Sequence, residues 1–300
     1  NLAKAKIKNA IRTFNNSFCS DLYSDGSLTN QIGGLQKIIA DTNTKAMSAI
    51  DPAKQSLFQK SRAGLFQTFL ERDASGDVDW TITLYPTDAY AQDADMSTED
   101  YTTFVLNACK LNQADPVAAW RELAAEQQRL IDWLSNKSDI HLTGPGTDLR
   151  LSTKGRVWIN ADGRKNFPDG EIFTGPVEDS VNGHVEFSFP VIYNGREIAG
   201  IRLVFENGRV VDASAAKGEE TLIRQLDTDS GARTLGEFAF GTNFDIQTFS
   251  RNILFDEKIG GTVHMAVGAG YPGSGSTNQS AIHWDMICDL RQGGEVIVDG

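Results

Sequence analysis

The residues best suited to chemistry stand near the end of the chain, where His283 and Asp285 flank Trp284. On an extended strand, residues i and i+2 project from the same face, so an imidazole and a carboxylate would point into one pocket. Zinc, cobalt and manganese accept mixed nitrogen and oxygen ligands of this kind. A histidine and an aspartate on one strand also form hydrogen-bonded structural pairs, so the pair alone leaves both interpretations open.

Other candidate side chains also have an ordinary structural interpretation when each is taken alone. Glu171 follows an Asp-Gly turn and could be a turn carboxylate, Glu237 could cap a helix, and Tyr271 could be a loop aromatic. The glycines near residues 260 and 268 lack the GxGxxG and GxxxxGK[ST] patterns, which argues against a nucleotide site. The remaining histidines, His141 and His184, lie in alternating segments and are expected to be structural.

Composition narrows the class of protein. The 300 residues carry 28 basic and 40 acidic side chains, a net charge of −12, which argues against nucleic acid or an acidic bilayer as the main partner. Three cysteines without CxxC spacing support neither a disulfide framework nor a thiolate zinc site. No apolar run approaches the length of a membrane span and no signal-peptide core is evident, so the sequence predicts a soluble, cytoplasmic protein.

The elements that must position these residues fall into two groups, of which the first is mainly helical. Asp51-Pro52 predicts a helix start, since Asp can cap and Pro is tolerated in the first turn. Trp80–Tyr85 alternates in the manner of a strand. The segment from Thr98 to Leu134 has a helical pattern that Pro116 divides, and the two tryptophans of its second half are expected to fill the core.

Beyond residue 138, short alternating and β-branched segments predominate. Asn194-Gly195 and Asn207-Gly208 predict tight hairpins, because Asn-Gly readily adopts the positive φ angles of a type I′ turn. The fold class predicted from these patterns is therefore α+β, with a β-rich α+β domain in the second half.

The first 45 residues differ in charge from the rest, with six basic against three acidic side chains. The sequence QIGGLQ at 31–36 and the apolar stretch that follows it resemble a segment of tailed-phage major capsid proteins. This segment carries no candidate catalytic residue.

Five separated blocks of the second half carry a more specific resemblance. They read NFPDGEIFTGP at 166–176, LGEFAFGTN at 235–243, EKIGGTVHMA at 257–266, GY at 270–271 and SAIHWDMI at 280–287. In this order they resemble the dinuclear metallo-aminopeptidases of the thermophilic aminopeptidase family, the family of aminopeptidases T, S and II. The resemblance extends from about residue 50 to the end of the chain.

That resemblance implies an activity and a site. The activity is release of N-terminal amino acids from peptides by a metal-activated water at a two-metal site, in a homodimer. The metals would be two divalent ions of zinc, cobalt, manganese or magnesium. The implied metal ligands are Glu171, Glu237, His264, His283 and Asp285, and Tyr271 falls on the family's active-site tyrosine. Spacing leaves open which glutamate is the general base, and Glu171 is the first choice for this catalytic role. Asp256 and Glu257 are expected to be solvated or to lie behind the ligands.

The chain departs from the family at its beginning, where members carry about a hundred further residues of α/β structure. We therefore expect a capsid-like basic segment at 1–45, an incomplete α/β domain at 46–145 and a metal-binding catalytic domain at 146–300. The alternative function is a catalytically impaired fusion or phage-derived structural product.

Overall fold

The computed structural model describes residues 35–193 and 195–300, which form a mixed α/β fold rich in sheet. The helices of these ranges are α1 (Pro52–Ser75), α2 (Asp88–Asp93), α3 (Thr98–Ala108), α4 (Pro116–Leu134), α5 (Glu219–Leu226) and α6 (Ile253–Asp256). The first strands are β1 (Leu35–Ile39), β2 (Trp80–Leu84), β3 (Asp139–Gly144), β4 (Thr147–Ser152), β5 (Ile159–Ala161), β6 (Asn166–Phe167), β7 (Glu171–Thr174) and β8 (Asn182–Glu186). The remaining strands are β9 (Val191–Tyr193), β10 (Arg196–Ile198), β11 (Arg202–Glu206), β12 (Arg209–Ser214), β13 (Leu235–Gly241), β14 (Thr262–Gly268), β15 (His283–Asp289) and β16 (Glu295–Val298).

Helix starts and stops agree with the local chemistry of the sequence. Asp51 caps α1 by accepting a hydrogen bond from the Ala53 amide at 2.7 Å, and Pro116 begins α4 behind the capping residue Asp115. The expectation that both tryptophans of α4 fill the core is wrong for Trp133, which is 52% exposed. Trp133 is not on the buried face of that helix, so its side chain does not pack into the core.

Two antiparallel sheets form the body of the second half. The larger has the strand order β12-β11-β8-β4-β3-β16, and the smaller has the order β15-β14-β13-β7-β5. The predicted hairpin at Asn207-Gly208 joins β11 to β12, and both turn residues have positive φ angles, of 48° and 80°. Strands β9 and β10 also pair, although Asn194 between them lies outside the described residues.

One hydrophobic core lies between these two sheets and fixes which face of each strand is left for chemistry. Leu142 and Leu149 of the six-stranded sheet share this core with Met265, Trp284 and Met286 of the five-stranded sheet. Since side chains alternate along a strand, the residues between these core positions project from the opposite face of the five-stranded sheet. We call that opposite face the outer face.

A second core, built from helical segments, belongs to the other part of the fold. Tyr101 and Val105 of α3 pack there with Leu254 and Phe255 of α6 and with Ile259. Because α6 and Ile259 immediately precede β14, this helical layer is tied directly to the strand that carries His264. None of the helices in the described ranges combines the length and apolar character required to cross a bilayer.

A small parallel sheet of order β1-β2-β6 joins the N-terminal segment to the rest. Strand β1 falls inside the segment 1–45 that the sequence predicts to be capsid-like, most of which lies outside the described residues. Strand β3 pairs with β4 and β16 in the six-stranded sheet. The predicted domain boundary at residue 145 would assign β3 to the preceding domain. The division at residues 45 and 145 stays a prediction, whereas the mixed α and β character is confirmed.

Candidate metal centre

Four neighbouring strands bring the five predicted ligand residues to the outer face. Glu171 begins β7, Glu237 lies on β13, His264 on β14, and His283 and Asp285 on β15. These strands are consecutive in the sheet, in the order β15-β14-β13-β7. Residues separated by more than a hundred positions therefore meet because their strands are hydrogen-bonded neighbours.

His264 lies at the centre of the first group. Its Nε2 atom is 3.0 Å from Oε2 of Glu171 and 3.3 Å from Oε1 of Glu237, and its side chain is fully buried. Neither ring nitrogen of His264 makes a hydrogen bond to another residue in the described part of the chain. A buried polar atom without a partner is costly in a folded protein, so these atoms are suited to receive a further group.

His283 organises the second group. Its Nδ1 atom is 2.8 Å from the carbonyl oxygen of Ala269, which can only accept, so Nδ1 carries the proton and Nε2 is available as a ligand. Nε2 lies 3.7 Å from Oε2 of Glu237 and 3.6 Å from Oδ2 of Asp285. Glu237 therefore contacts both histidines.

The backbone of β13 explains how Glu237 reaches the outer face. Leu235 and Phe238 both point into the core, although they are three residues apart, because the register shifts between Leu235 and Glu237. Such a bulge inserts one residue and re-aims the side chains that follow. Gly236 supplies the inserted position, where a Cβ atom would lie 2.5 Å from the carbonyl oxygen of Gly268.

A small residue keeps space between the carboxylates. Ala266 pairs with Glu237 on one side and with Asp285 on the other. The three residues therefore form a row across β13, β14 and β15, with a methyl group in the middle. A larger side chain in the middle of this row would occupy the space between the two carboxylates.

Sequence reasoning missed a buried lysine beside these groups. The ammonium of Lys258 is 2.5 Å from Glu171, 2.6 Å from Glu257 and 3.5 Å from Asp169, and the side chain is fully buried. For Glu257, which is expected to be solvated or to lie behind the ligands, the structure shows a side chain that pairs with Lys258 and forms a close group with His264 and Asp285. Asp256 is buried and accepts hydrogen bonds from Ser250 instead. No pattern in the sequence marks Lys258, because lysine is rarely buried.

Charge and burial together set the protonation of this cluster. Burial alone would raise the pKa of Glu171, but the positive charges of Lys258 and His264 outweigh it and lower that pKa to about 2. Burial would lower the pKa of His283, but Asp285 and Glu237 raise it to about 9. Burial raises the pKa of Glu257 to about 8, against the opposing charge of Lys258.

The same balance acts on His264. Burial would lower its pKa, but Glu171 outweighs burial and raises the pKa well above the ordinary value. A metal ion that binds these histidines must displace their protons, so metal affinity falls as the pH falls.

The donor set fits divalent cations. Three groups of side chains each offer ligand atoms within 4.8 Å of one another, and all are drawn from the same six residues. These groups are Glu171–Glu237–His264, Glu237–His283–Asp285 and Glu257–His264–Asp285. The first two groups share Glu237, which is the arrangement expected of a carboxylate between two ions. Within residues 35–193 and 195–300, Oε2 of Glu171 and Oδ1 of Asp285 are buried and have no hydrogen-bond partner.

Helix α4 supports the strand that carries Glu171. Gln127 is buried in the apolar stripe of α4 between Leu123 and Ile131, and its side-chain amide donates to the carbonyl oxygens of Ala161 and Glu171. A polar residue at an apolar position of a helical stripe is a sequence signal that could have identified it. The contact fixes the beginning of β7 against the helix.

Tyr271 makes different contacts from the five predicted ligands. Its ring packs edge-on against Phe173 of β7, with ring centres 5.8 Å apart. Burial, and then the negative charge of Asp73 on α1, raise the pKa of Tyr271 to about 12. The hydroxyl therefore keeps its proton at neutral pH and is hydrogen-bonded to Asp73, a bond that it must exchange before it can donate to another group.

Comparison with known proteins identifies the family. The family described as thermophilic metalloprotease (M29) matches residues 16–296. The chain belongs to the M29 family. The match includes every predicted site residue.

Curated relatives and a solved structure agree with membership in the M29 family. Aminopeptidase 2 of Geobacillus stearothermophilus is 34% identical over 252 residues, which cover 77% of this chain and 60% of that protein. Aminopeptidase T of Thermus thermophilus is 30% identical and covers 93% of this chain and 75% of its own length. The structure of wild-type AmpT from Thermus thermophilus superposes with a TM-score of 0.71 at 29% identity, over 88% of this chain and 72% of that one. The chain thus spans only 60% of the length of the first of these relatives.

Proposed function

We propose that this M29 chain is a metal-dependent aminopeptidase that releases N-terminal amino acids from peptides. The observation that carries the proposal is the meeting of two imidazoles and at least three carboxylates on one sheet face, with Glu237 common to both histidine groups. The names of its relatives, which are aminopeptidases, support the substrate class.

The residues that would hold two divalent ions follow from the groups described above. Glu171 and His264 would hold one ion, His283 and Asp285 the other, and Glu237 would lie between them. Glu257 is an additional candidate ligand, since it lies in the third group. Zinc, cobalt, manganese and magnesium are the proposed metals. When bound, such ions lower the pKa of water and polarise a carbonyl group.

The chain's own residues contribute proton transfer and charge stabilisation. Glu171 is the predicted acceptor of the proton of the attacking water, and Lys258 donates a hydrogen bond to its Oε1 atom. Glu257, which also pairs with Lys258 and forms a close group with His264 and Asp285, is the second candidate for that role. We propose that Tyr271 donates a hydrogen bond to the oxygen that becomes negative as the carbonyl is attacked.

The finer properties of the molecule are proposals of the same kind. We propose peptides with a free N-terminus as substrates, a homodimer as the assembly and the cytoplasm as the compartment. The acidic net charge of −12 disfavours nucleic acid as a partner, as the sequence predicts.

Peptide turnover with controlled metal content tests this function. Purified protein should cleave an aminoacyl chromophore, lose the activity in chelator and regain it with zinc, cobalt or manganese. His283→Ala and Asp285→Ala should each abolish turnover, because each removes a ligand of the second group.

His141→Ala is the matched control for these variants. His141 pairs with Asp148 at 2.8 Å on the six-stranded sheet, away from the outer face, so its removal should leave turnover unchanged. Full activity in His283→Ala or Asp285→Ala would contradict the proposed ligand set. A folded, metal-loaded chain without any turnover would instead favour a catalytically impaired product.

A further inference from the structure

Helix α1 contacts Tyr271 from outside the sheet that carries the candidate ligands. The hydroxyl of Tyr271 is hydrogen-bonded to the carboxylate of Asp73, in the last turn of that helix. The same helix packs against the short 3-10 helix Pro272–Ser274 that follows the tyrosine. Asp73 belongs to none of the three candidate ligand groups, so it acts on the site only through Tyr271.

The ring of Tyr271 lies on the same sheet face as the candidate ligands. Ile172 of β7 belongs to the core, so its neighbours Glu171 and Phe173 project from the outer face. The ring of Tyr271 packs edge-on against Phe173. The tyrosine is therefore next to the position that follows Glu171 on this face.

The main chain and the ring of Tyr271 are both held in place. The hydroxyl of Ser274 donates to the carbonyl oxygen of Tyr271 at 2.7 Å and accepts from the amide of Gly175, just beyond β7, at 3.1 Å. The ring lies directly against Gly273, where a Cβ atom would overlap it. Rotation about the bond between the ring and the hydroxyl oxygen stays free, so the hydroxyl proton can turn from one acceptor to another.

Asp73 has a second partner that remains when the hydroxyl turns away. Its side chain is only 7% exposed, and one carboxylate oxygen lies 2.6 Å from the ammonium of Lys165. A buried carboxylate without any donor would be costly. Because Lys165 stays beside it, Asp73 can release the Tyr271 hydroxyl without being left unpaired.

We propose that Asp73 is a positioning residue for Tyr271, which holds the hydroxyl in the resting protein and releases it to the substrate's carbonyl oxygen as that oxygen becomes negative. The inference rests on the proposed aminopeptidase function. A hydroxyl carries one proton, so Tyr271 cannot donate fully to Asp73 and to the substrate at once. Hydrogen bonds to a charged acceptor are about twice as strong as those to a neutral one. An oxyanion therefore competes with Asp73 for the proton, whereas the neutral carbonyl of a bound peptide does not.

Asp73→Asn tests this exchange, because it removes the charge and keeps the size of the side chain. In the metal-loaded protein, kcat/KM for the aminoacyl chromophore should rise by about three- to tenfold, since the hydroxyl leaves a neutral acceptor more easily. Tyr271→Phe removes the donor and should lower kcat/KM by about a hundredfold. In the Tyr271→Phe background, Asp73→Asn should change kcat/KM by less than about twofold, because the proton that Asp73 holds is gone.

Asp79→Asn is the matched control. Asp79 is the other carboxylate beside Lys165, at 3.4 Å, and its side chain is 85% exposed. The variant makes the same change in charge but leaves the bond between Asp73 and Tyr271 in place, so kcat/KM should stay within about twofold of the wild-type value. The proposal would be overturned by an equal rise in Asp79→Asn, by a fall in Asp73→Asn, or by an effect of Asp73→Asn that persists without the Tyr271 hydroxyl.

A binding measurement separates this proposal from the function on which it rests. The phosphonic acid analogue of leucine carries the amine and a tetrahedral anion but has no bond to cleave. Calorimetry on the metal-loaded protein should show Asp73→Asn binding it about three- to tenfold more tightly than the wild type, with the difference lost in the Tyr271→Phe background. Equal affinities, or no binding at all, would overturn the exchange even if peptides are cleaved. The expected difference in a chain without turnover would overturn the catalytic function and leave the exchange standing.

Discussion

At the scale of single residues, the chemistry depends on a balance of buried charge. Glu171, Glu257 and Asp169 surround the ammonium of Lys258, which lies within 2.5–3.5 Å of all three. Removing one partner from a buried ion pair leaves an uncompensated charge, which is far more costly than loss of a surface pair. Lys258 therefore holds in place the carboxylates that the proposed metals need.

Lys258→Met should test that role. The variant removes the positive charge while keeping an unbranched side chain, so the free energy of unfolding in chelator should fall by about 3–5 kcal/mol. Urea unfolding provides the measurement. The control is Lys217→Met, which removes an exposed lysine paired with Glu197 at 2.9 Å and should cost no more than about 1 kcal/mol. Equal decreases in the free energy of unfolding of the two variants would show that Lys258 contributes no more to stability than an exposed lysine.

The sequence predicted some of these residues and missed others, for physical reasons. The i, i+2 spacing of His283 and Asp285 was sufficient to place both side chains on one strand face. Glu171 and Glu237 became candidates only through the family resemblance, since their ordinary interpretations were a turn carboxylate and a helix cap. No sequence pattern identified Lys258, because a buried lysine is stable only beside carboxylates that the fold brings together.

At the scale of elements, alternation along the strands of one sheet sorts core residues from site residues. Val263, Met265 and Val267 face the core, so His264 between them must face outwards. This part of the fold follows from the alternating pattern of the sequence. The bulge at Gly236 does not, because the close approach that requires glycine there comes from Gly268 and Ala269, which are distant in the sequence.

Gln127→Ala should test how α4 supports the site. The variant removes the donor that Gln127 supplies to the carbonyl oxygens of Ala161 and Glu171, although Ala161 still accepts from the Gly170 amide, so we expect a loss of about 1–3 kcal/mol in the free energy of unfolding. Metal affinity, followed by titration calorimetry, should fall in parallel because the start of β7 loses its anchor. The control is Gln67→Ala, since the side-chain amide of Gln67 donates to Glu71 of its own helix, α1. Identical behaviour of the two variants would contradict a supporting role for Gln127.

At the scale of the whole molecule, the proposed centre is confined to one sheet. All five predicted ligands come from β7, β13, β14 and β15, and the core between the two antiparallel sheets supports these strands from behind. The chain spans 60–75% of the length of its curated relatives. The four strands that carry the five predicted ligands all lie within this chain. The pairing of residues 35–39 with the rest of the fold could not be predicted, because β1 pairs with β2 across more than forty positions of the sequence.

Anomalous diffraction from crystals grown with zinc tests the central claim most directly. We expect two peaks about 3.5–4 Å apart on the outer face, one beside Glu171 and His264 and the other beside His283 and Asp285, with Glu237 between them. Catalytically active crystals without a peak at these side chains, or with zinc bound by other residues alone, would contradict the account.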